Sequence, residues 1–254
     1  MGPECVPEHR PPFLRSPHPF PHKEKHMRMR KLLVALLASG AALGLAAGPA
    51  SAIIGGQTAT ESYPWIADLG HDDGGDGCGG GLIAPQWVVT AGHCVADVAP
   101  GDPVRVGSND RTAGGEVIGV AAAVQAPDGD LGLVKLARPA AEEPMRIGSM
   151  PTGGPIRLLG WGMDSSTNPT SPRLLKQLDT EVQGQCGADD ELCVAQTATA
   201  TACNGDSGTP ALVDGAVVAV TSRGPIGDCG AAGFTVYTAI APHLDWIEQT
   251  VGAN

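Results

Sequence analysis

The chain has 254 residues, 42% hydrophobic and 17% charged, enough for one or two domains with real cores. Aromatics make up only 4%, so Val, Leu, Ile and Ala must fill the interior, while 36 glycines and 22 prolines favour turns and short strands over long helices. A net charge of −11, with no basic patch, speaks against nucleic acid as a partner.

Residues 1–26, "MGPECVPEHRPPFLRSPHPFPHKEKH", are proline-rich and lack apolar periodicity; they read as an upstream extension foreign to the rest. His18, His22 and His26 recur every four residues, but the prolines between them preclude a helix that would gather them round a metal. Residues 27–52 read as a secretory signal peptide. Arg28, Arg30 and Lys31 precede or open an apolar stretch, and Ala50-Ser51-Ala52 has the small-x-small form of a signal peptidase site. The stretch is short for a membrane span, which needs ~20 residues, so no membrane attachment is expected after signal removal. Removing 1–52 takes away seven of the 16 basic residues and three of the 27 acidic ones, leaving a net −15. It also takes Cys5. The remaining Cys78, Cys94, Cys186, Cys193, Cys203 and Cys229 form an even set, which in a secreted domain suggests three disulfides among 15 possible pairings. Neither C-x-x-C nor a Cys/His zinc spacing occurs, and no metal or other cofactor is expected.

The rest of the chain is punctuated by short β-branched runs: "WVVTA" (87–91), "LGLVKLA" (131–137), "IRLLGWG" (156–162) and "AVVAVTS" (216–222). Gly, Pro, Asn or Asp separate them, the pattern of an all-β sandwich or barrel. "EEPMRIGSMPTGG" (142–154) reads as a connector between two halves, 53–150 and 151–254. Near the end, Ile240, Leu244, Ile247 and Val251 share one helical stripe and predict a helix over 240–251.

Three residues carry the chemistry. His93 ends an apolar strand in "VVTAGHC", Asp130 precedes another in "DGDLGLVKL", and Ser207 sits in the glycine-fenced turn "CNGDSGTP" (203–210). Each alone has a plain structural reading, but together, in the order His, Asp, Ser, they form a working set. A serine hydroxyl is a weak nucleophile, so a neutral imidazole must take its proton, and a carboxylate must hold that imidazole in the right tautomer. Glycine beside the serine lets backbone N–H groups approach a developing oxyanion, and Gly205 and Ser207 offer that pair.

From Ile53 onward the chain resembles the chymotrypsin/trypsin family of secreted serine endopeptidases over nearly its whole length, and a bacterial member is expected. The resemblance rests on "IIGG" (53–56), "CGGGLIAPQWVVTAGHC" (78–94), "DLGLVKL" (130–136), "GWG" (160–162), "CNGDSGTP", "TSRG" (221–224), "VYT" (236–238) and "LDWI" (244–247), all in family order. It implies two six-stranded antiparallel β-barrels with a C-terminal helix. It also implies the disulfides Cys78–Cys94, Cys186–Cys193 and Cys203–Cys229, and a pairing of a free Ile53 ammonium with Asp206. Because the expected signal cut falls directly before Ile53, export itself would create that ammonium. The base of the primary substrate pocket falls at Thr201, with Ser222, Arg223, Gly224 and Thr235 as walls. A neutral Thr201 argues against cleavage after Arg or Lys and for small or medium apolar side chains. Three departures stand out. Thr209 replaces a usual glycine, Arg223 replaces a common aromatic, and Ser108 falls where the family's calcium loop (107–116) would have an acid. The acid-rich "HDDGGDG" (71–77) reads as a solvated loop. The expected product is a monomeric secreted endopeptidase acting on peptides or proteins. Two rival readings are a catalytically inactive binding protein on this fold, and an esterase. The first typically loses His or Ser, and both are kept; the second needs a G-x-S-x-G elbow before a helix, and "GDSGT" does not supply it.

Overall fold

The computed structural model describes residues 53–70, 77–165, 171–224, 229–231 and 233–253. The upstream extension, the signal segment and the loop from His71 to Asp76 lie outside the described residues.

Two closed barrels organise these residues. The first is built in the order β2 (Ile66–Asp68), β3 (Gly79–Ala84), β4 (Trp87–Thr90), β7 (Gly132–Leu136), β6 (Glu116–Gln125) and β5 (Pro103–Val106), and β2–β5 pairing closes it. The second runs β9 (Lys176–Gln185), β10 (Glu191–Gln196), β13 (Gly233–Ala239), β12 (Ala216–Arg223), β11 (Pro210–Val213) and β8 (Gly154–Gly160), and β8–β9 pairing closes it. Every pairing within the barrels is antiparallel. Closure leaves each barrel without an open edge, the liability of a free sheet. A short β1 (Gln57–Thr58) adds to β9, so the first described residues belong to the second barrel, with Ile53 in its core.

Burial follows the sequence pattern. In β6, Ile118 and Val120 point inward and their neighbours outward, the alternation of a half-buried strand. β12 is buried along nearly its whole length, because one face lines the barrel and the other meets the first barrel. Val104, Val106, Val134 and Leu136 fill the first barrel; Ile156, Leu158, Val194 and Tyr237 fill the second. A third cluster joins Val89 and Leu133 of one barrel to Leu212 and Val220 of the other, and takes in Trp161. Truncating such a Leu costs about 2–5 kcal/mol. The connector over 142–154 is itself part of the packing: Met145 N–H donates to Leu82 and Gly148 N–H to Val217.

The terminal helix is shorter at its start than its stripe predicts. It runs α1 (Leu244–Gly252), preceded by a tight 3-10 turn at Ala241–His243. Pro242 explains the difference, since it lacks an N–H and suits a first turn rather than a helix interior. Ile240 and Ile247 are buried as expected, and Val251 packs against the same cluster.

Candidate active site

The His93 segment begins where β4 ends. The chain turns at Ala91-Gly92 into a 3-10 turn, His93–Asp97, whose Cys94 is buried and bonded to Cys78 at the mouth of β3. Asp130 stands just before β7. Its Oδ1 accepts the His93 backbone N–H at 2.8 Å, and its Oδ2 meets His93 Nδ1 at 2.9 Å. Ser222, near the end of β12, donates to the same Oδ2 at 2.7 Å. With Nδ1 occupied by the carboxylate, the lone pair of the neutral ring sits on Nε2. Burial pushes the Asp130 carboxyl up, but the hydrogen bonds from His93 and Ser222 outweigh it and hold the group below the usual range. The same bond to Asp130 raises His93, against the opposing effect of burial.

Ser207 lies in the turn between β10 and β11. Gly205 has φ +89° and Gly208 has φ +75°, values that L side chains rarely adopt. At Gly208 a Cβ would also collide with Thr90 Oγ1 and the Gly79 carbonyl, so the turn packs directly onto β3 and β4. Backbone bonds fix it there: Gly79 N–H donates to the Ser207 carbonyl at 2.8 Å, and Gly208 N–H to Thr221 at 2.8 Å. Gly79 follows Cys78, whose sulfur lies within 4.8 Å of a His93 ring nitrogen. Ser207 and Ser222 line one cavity of about 290 Å³. Ser207 is thus held on the strand that follows Cys78, the disulfide partner of His93's neighbour Cys94, while His93 is not among the residues that line this cavity. The Cys78, His93 and Cys94 grouping offers no thiolate to a metal, because both sulfurs are consumed in the disulfide.

Asp206 is fully buried. Its Oδ1 accepts from Gly162 N–H at 2.7 Å and its Oδ2 from Cys203 N–H at 2.8 Å. Gly160 and Gly162 press against the carboxylate so closely that no side chain could stand at either position, which gives "GWG" its reason. Burial pushes Asp206 up to about 7. Ile53 is buried in the same barrel, and the Ile54 carbonyl accepts from Thr201 N–H at 3.0 Å.

Thr201, expected at the base of the pocket, is buried and is not among the residues that line the cavity; it stands behind the lining residue Thr235. Thr201 Oγ1 donates to the Ala202 carbonyl at 2.9 Å and lies 3.3 Å from Thr235 Oγ1. Thr235 in turn donates to Gln196 Oε1 at 2.7 Å, and Gln196 Nε2 donates to Ala231 at 2.6 Å. Gly224 and the Cys203–Cys229 disulfide complete the wall, while Cys186–Cys193 clips β9 to β10. Arg223 reaches the rim and forms an ion pair of 2.8 Å with Glu191. Sequence reasoning missed Gln196 and Asn204 as lining residues. Asn204 was within reach, since it sits inside the serine motif; Gln196 carried no signal. A second missed feature is a His243–Asp190 pair, 2.8 Å long and largely buried, which packs against Gly129 immediately before Asp130.

Thr209 is fully buried and donates to the Asp206 carbonyl at 2.5 Å, with Thr221 Oγ1 at 3.2 Å. Around 107–116, Arg105 Nε donates to the Arg111 carbonyl at 3.0 Å and Nη1 to Gly114 at 2.6 Å, while the Ser108 hydroxyl serves Asp110 and Ala113. Calcium wants oxygen ligands. Here a guanidinium already holds the loop carbonyls, so the loop does not fit that ion.

A family model described as Trypsin matches residues 53–247. Putative trypsin-6 of Homo sapiens is 31% identical over 253 residues, covering 89% of this chain and 100% of its own length. Anionic trypsin of Canis lupus familiaris is 32% identical, covering 88% and 98% respectively. Chymotrypsin-like elastase family member 3B of Homo sapiens is 30% identical, covering 89% and 100%. These relatives are animal proteins, and they lend no support to the bacterial source expected from the sequence.

Proposed function

We propose, on the premise that this chain belongs to the trypsin family of serine endopeptidases, that it cleaves peptide bonds through an acyl-enzyme formed on Ser207. The observation that carries the reading is the 2.9 Å contact of His93 Nδ1 with Asp130, itself fixed by Ser222. His93 Nε2 takes the Ser207 proton as the hydroxyl attacks the substrate carbonyl, and returns it to the leaving amine. Water then repeats the sequence to release the acyl product. Asp130 orients the ring and stabilises it once protonated. Gly205 and Ser207 N–H groups receive the oxyanion.

Specificity follows from the lining. With Thr235 and Gln196 lining the cavity and no carboxylate among its described lining residues, a lysine or arginine would bury its charge unpaired, which is costly. Substrates with a small or medium uncharged side chain, apolar ones included, fit better. Activation follows from Asp206: cleavage before Ile53, by removal of the secretory signal, frees an ammonium to pair with the buried carboxylate. The enzyme is then a secreted monomer, inert until exported. Titration with an organophosphate should label one Ser207 per molecule and abolish peptide cleavage, and Ser207→Ala should be unlabelled and slower by several orders of magnitude. Full cleavage by the Ala variant would refute the assignment, as would efficient turnover of an arginyl peptide refute the neutral pocket.

A further inference from the structure

We infer that Arg223 selects substrates carrying an acidic side chain on the N-terminal side of the scissile bond. The inference rests on the reading of Ser207 as nucleophile. Of the described residues that line the cavity beside Ser207, Arg223 is the one charged side chain. The surrounding acids are accounted for: Asp130 is tied to His93 and Ser222, and Asp206 is fully buried behind the turn. A chain with a net charge of −11 therefore places a cation at the mouth of its cleft.

The cation is also held in place. Arg223 Nη2 lies 2.8 Å from Glu191 Oε1, with the Arg side chain 54% exposed and the Glu side chain 14%. Glu191 is steadied by the Ala188 N–H at 3.2 Å. A guanidinium has five N–H donors in a fixed fork, so one carboxylate at one edge leaves donors for a second. Anchoring reduces the side-chain entropy lost when that second carboxylate binds.

Direction along the substrate follows from the chemistry. The cavity takes the side chain whose carbonyl Ser207 attacks. His93 must protonate the leaving amine, so the residues after the scissile bond run past His93. Those before it run along the segment Ser222-Arg223-Gly224, which lines the same cavity as Ser207. An aspartate or glutamate among them meets the guanidinium.

The test uses the active protein with fluorogenic peptides that differ only in Glu or Gln at each of three positions preceding the cleaved bond. At one position the Glu/Gln ratio of kcat/KM should be about two- to fivefold, the size of a partly exposed ion pair. It should reside in KM and shrink in high salt. Arg223→Gln should bring the ratio to about one, and Arg223→Lys should keep part of it. A ratio of one or less in the parent at all three positions overturns the inference. So does a ratio that survives Arg223→Gln. Cleaved Gln peptides with a flat ratio sink this inference alone. Failure to cleave any peptide, together with no organophosphate label on Ser207, sinks the proposed function and this inference with it.

Discussion

On the proposed pairing with the Ile53 ammonium, Asp206 should distinguish a chain that begins at Ile53 from one that begins upstream. Its carboxyl is fully buried, and burial pushes it from 3.8 up to about 7 despite two backbone N–H donors. In the uncut chain the Ile53 nitrogen is part of a peptide and carries no charge. A folded-state value above the unfolded one means that the folded protein keeps the proton longer. Its stabilising effect is fully present below the unfolded value and is lost as pH climbs to about 7. Three units at about 1.36 kcal/mol each make that loss about 4 kcal/mol. On the proposed pairing, cleavage before Ile53 should reverse the sign. An adjacent ammonium favours the carboxylate and lowers its value. Stability is then gained above the unfolded carboxyl value, lost as pH falls through the lowered one, and lost again as the amine titrates above pH ~8. The assay is urea unfolding of two Ser207→Ala chains, one beginning at Ala47 and one at Ile53, across this pH range. Residues 47–52 contain no Asp, Glu or His, so the other titrating side chains are common to both. The stability difference should widen by about 4 kcal/mol between pH ~4 and pH ~7 in favour of the Ile53 chain. Parallel pH curves would refute the reasoning.

Two further expectations follow from the same geometry. His93 is raised above its ordinary 6.5 by Asp130 and must be neutral to act as base, so kcat/KM should fall on the acid side with a midpoint above 6.5. Asp130→Asn should move that midpoint down and slow turnover by about 10⁴, while Asp128→Asn should do neither; the reverse outcome in a pH–rate comparison would reassign the acid. In the 107–116 loop, chelation with EDTA should leave the thermal midpoint of the parent unchanged, because Arg105 rather than an ion holds the carbonyls. Arg105→Ala should lower the midpoint, and a calcium-dependent midpoint in the parent would contradict that account.

The all-β class was legible in short β-branched runs broken by glycine and proline, which left sandwich and barrel both open; the two barrels came only with the family resemblance. The glycines around Ser207 were legible for a local reason: Gly205 and Gly208 have backbone angles that other residues rarely adopt. Features set by strand register were not. Ser222 reaches Asp130 from 92 positions away, and Gln196 meets Thr235 from 39 away. Nothing in either local segment announces the contact. The His243–Asp190 pair is hidden in the same way, since the helical stripe accounts for the apolar residues around His243 and leaves its ring unexplained.

Thr209 shows how a departure from a motif can be absorbed by a distant position. On sequence alone it reads as a disturbance next to the nucleophile. In the fold its hydroxyl bonds the Asp206 carbonyl and its methyl faces Gly79, where a Cβ would collide with Thr209 Cγ2. The "CGGG" at the start of β3 and the Thr in "GDSGT" therefore share one volume. Overfilling such a site costs about 1–3 kcal/mol, so the extra atoms at 209 require the missing Cβ at 79. The same Gly79 donates its N–H to the Ser207 carbonyl. One glycine thus makes room for the substitution and pins the nucleophile's backbone, which ties the altered turn to the strand beneath it.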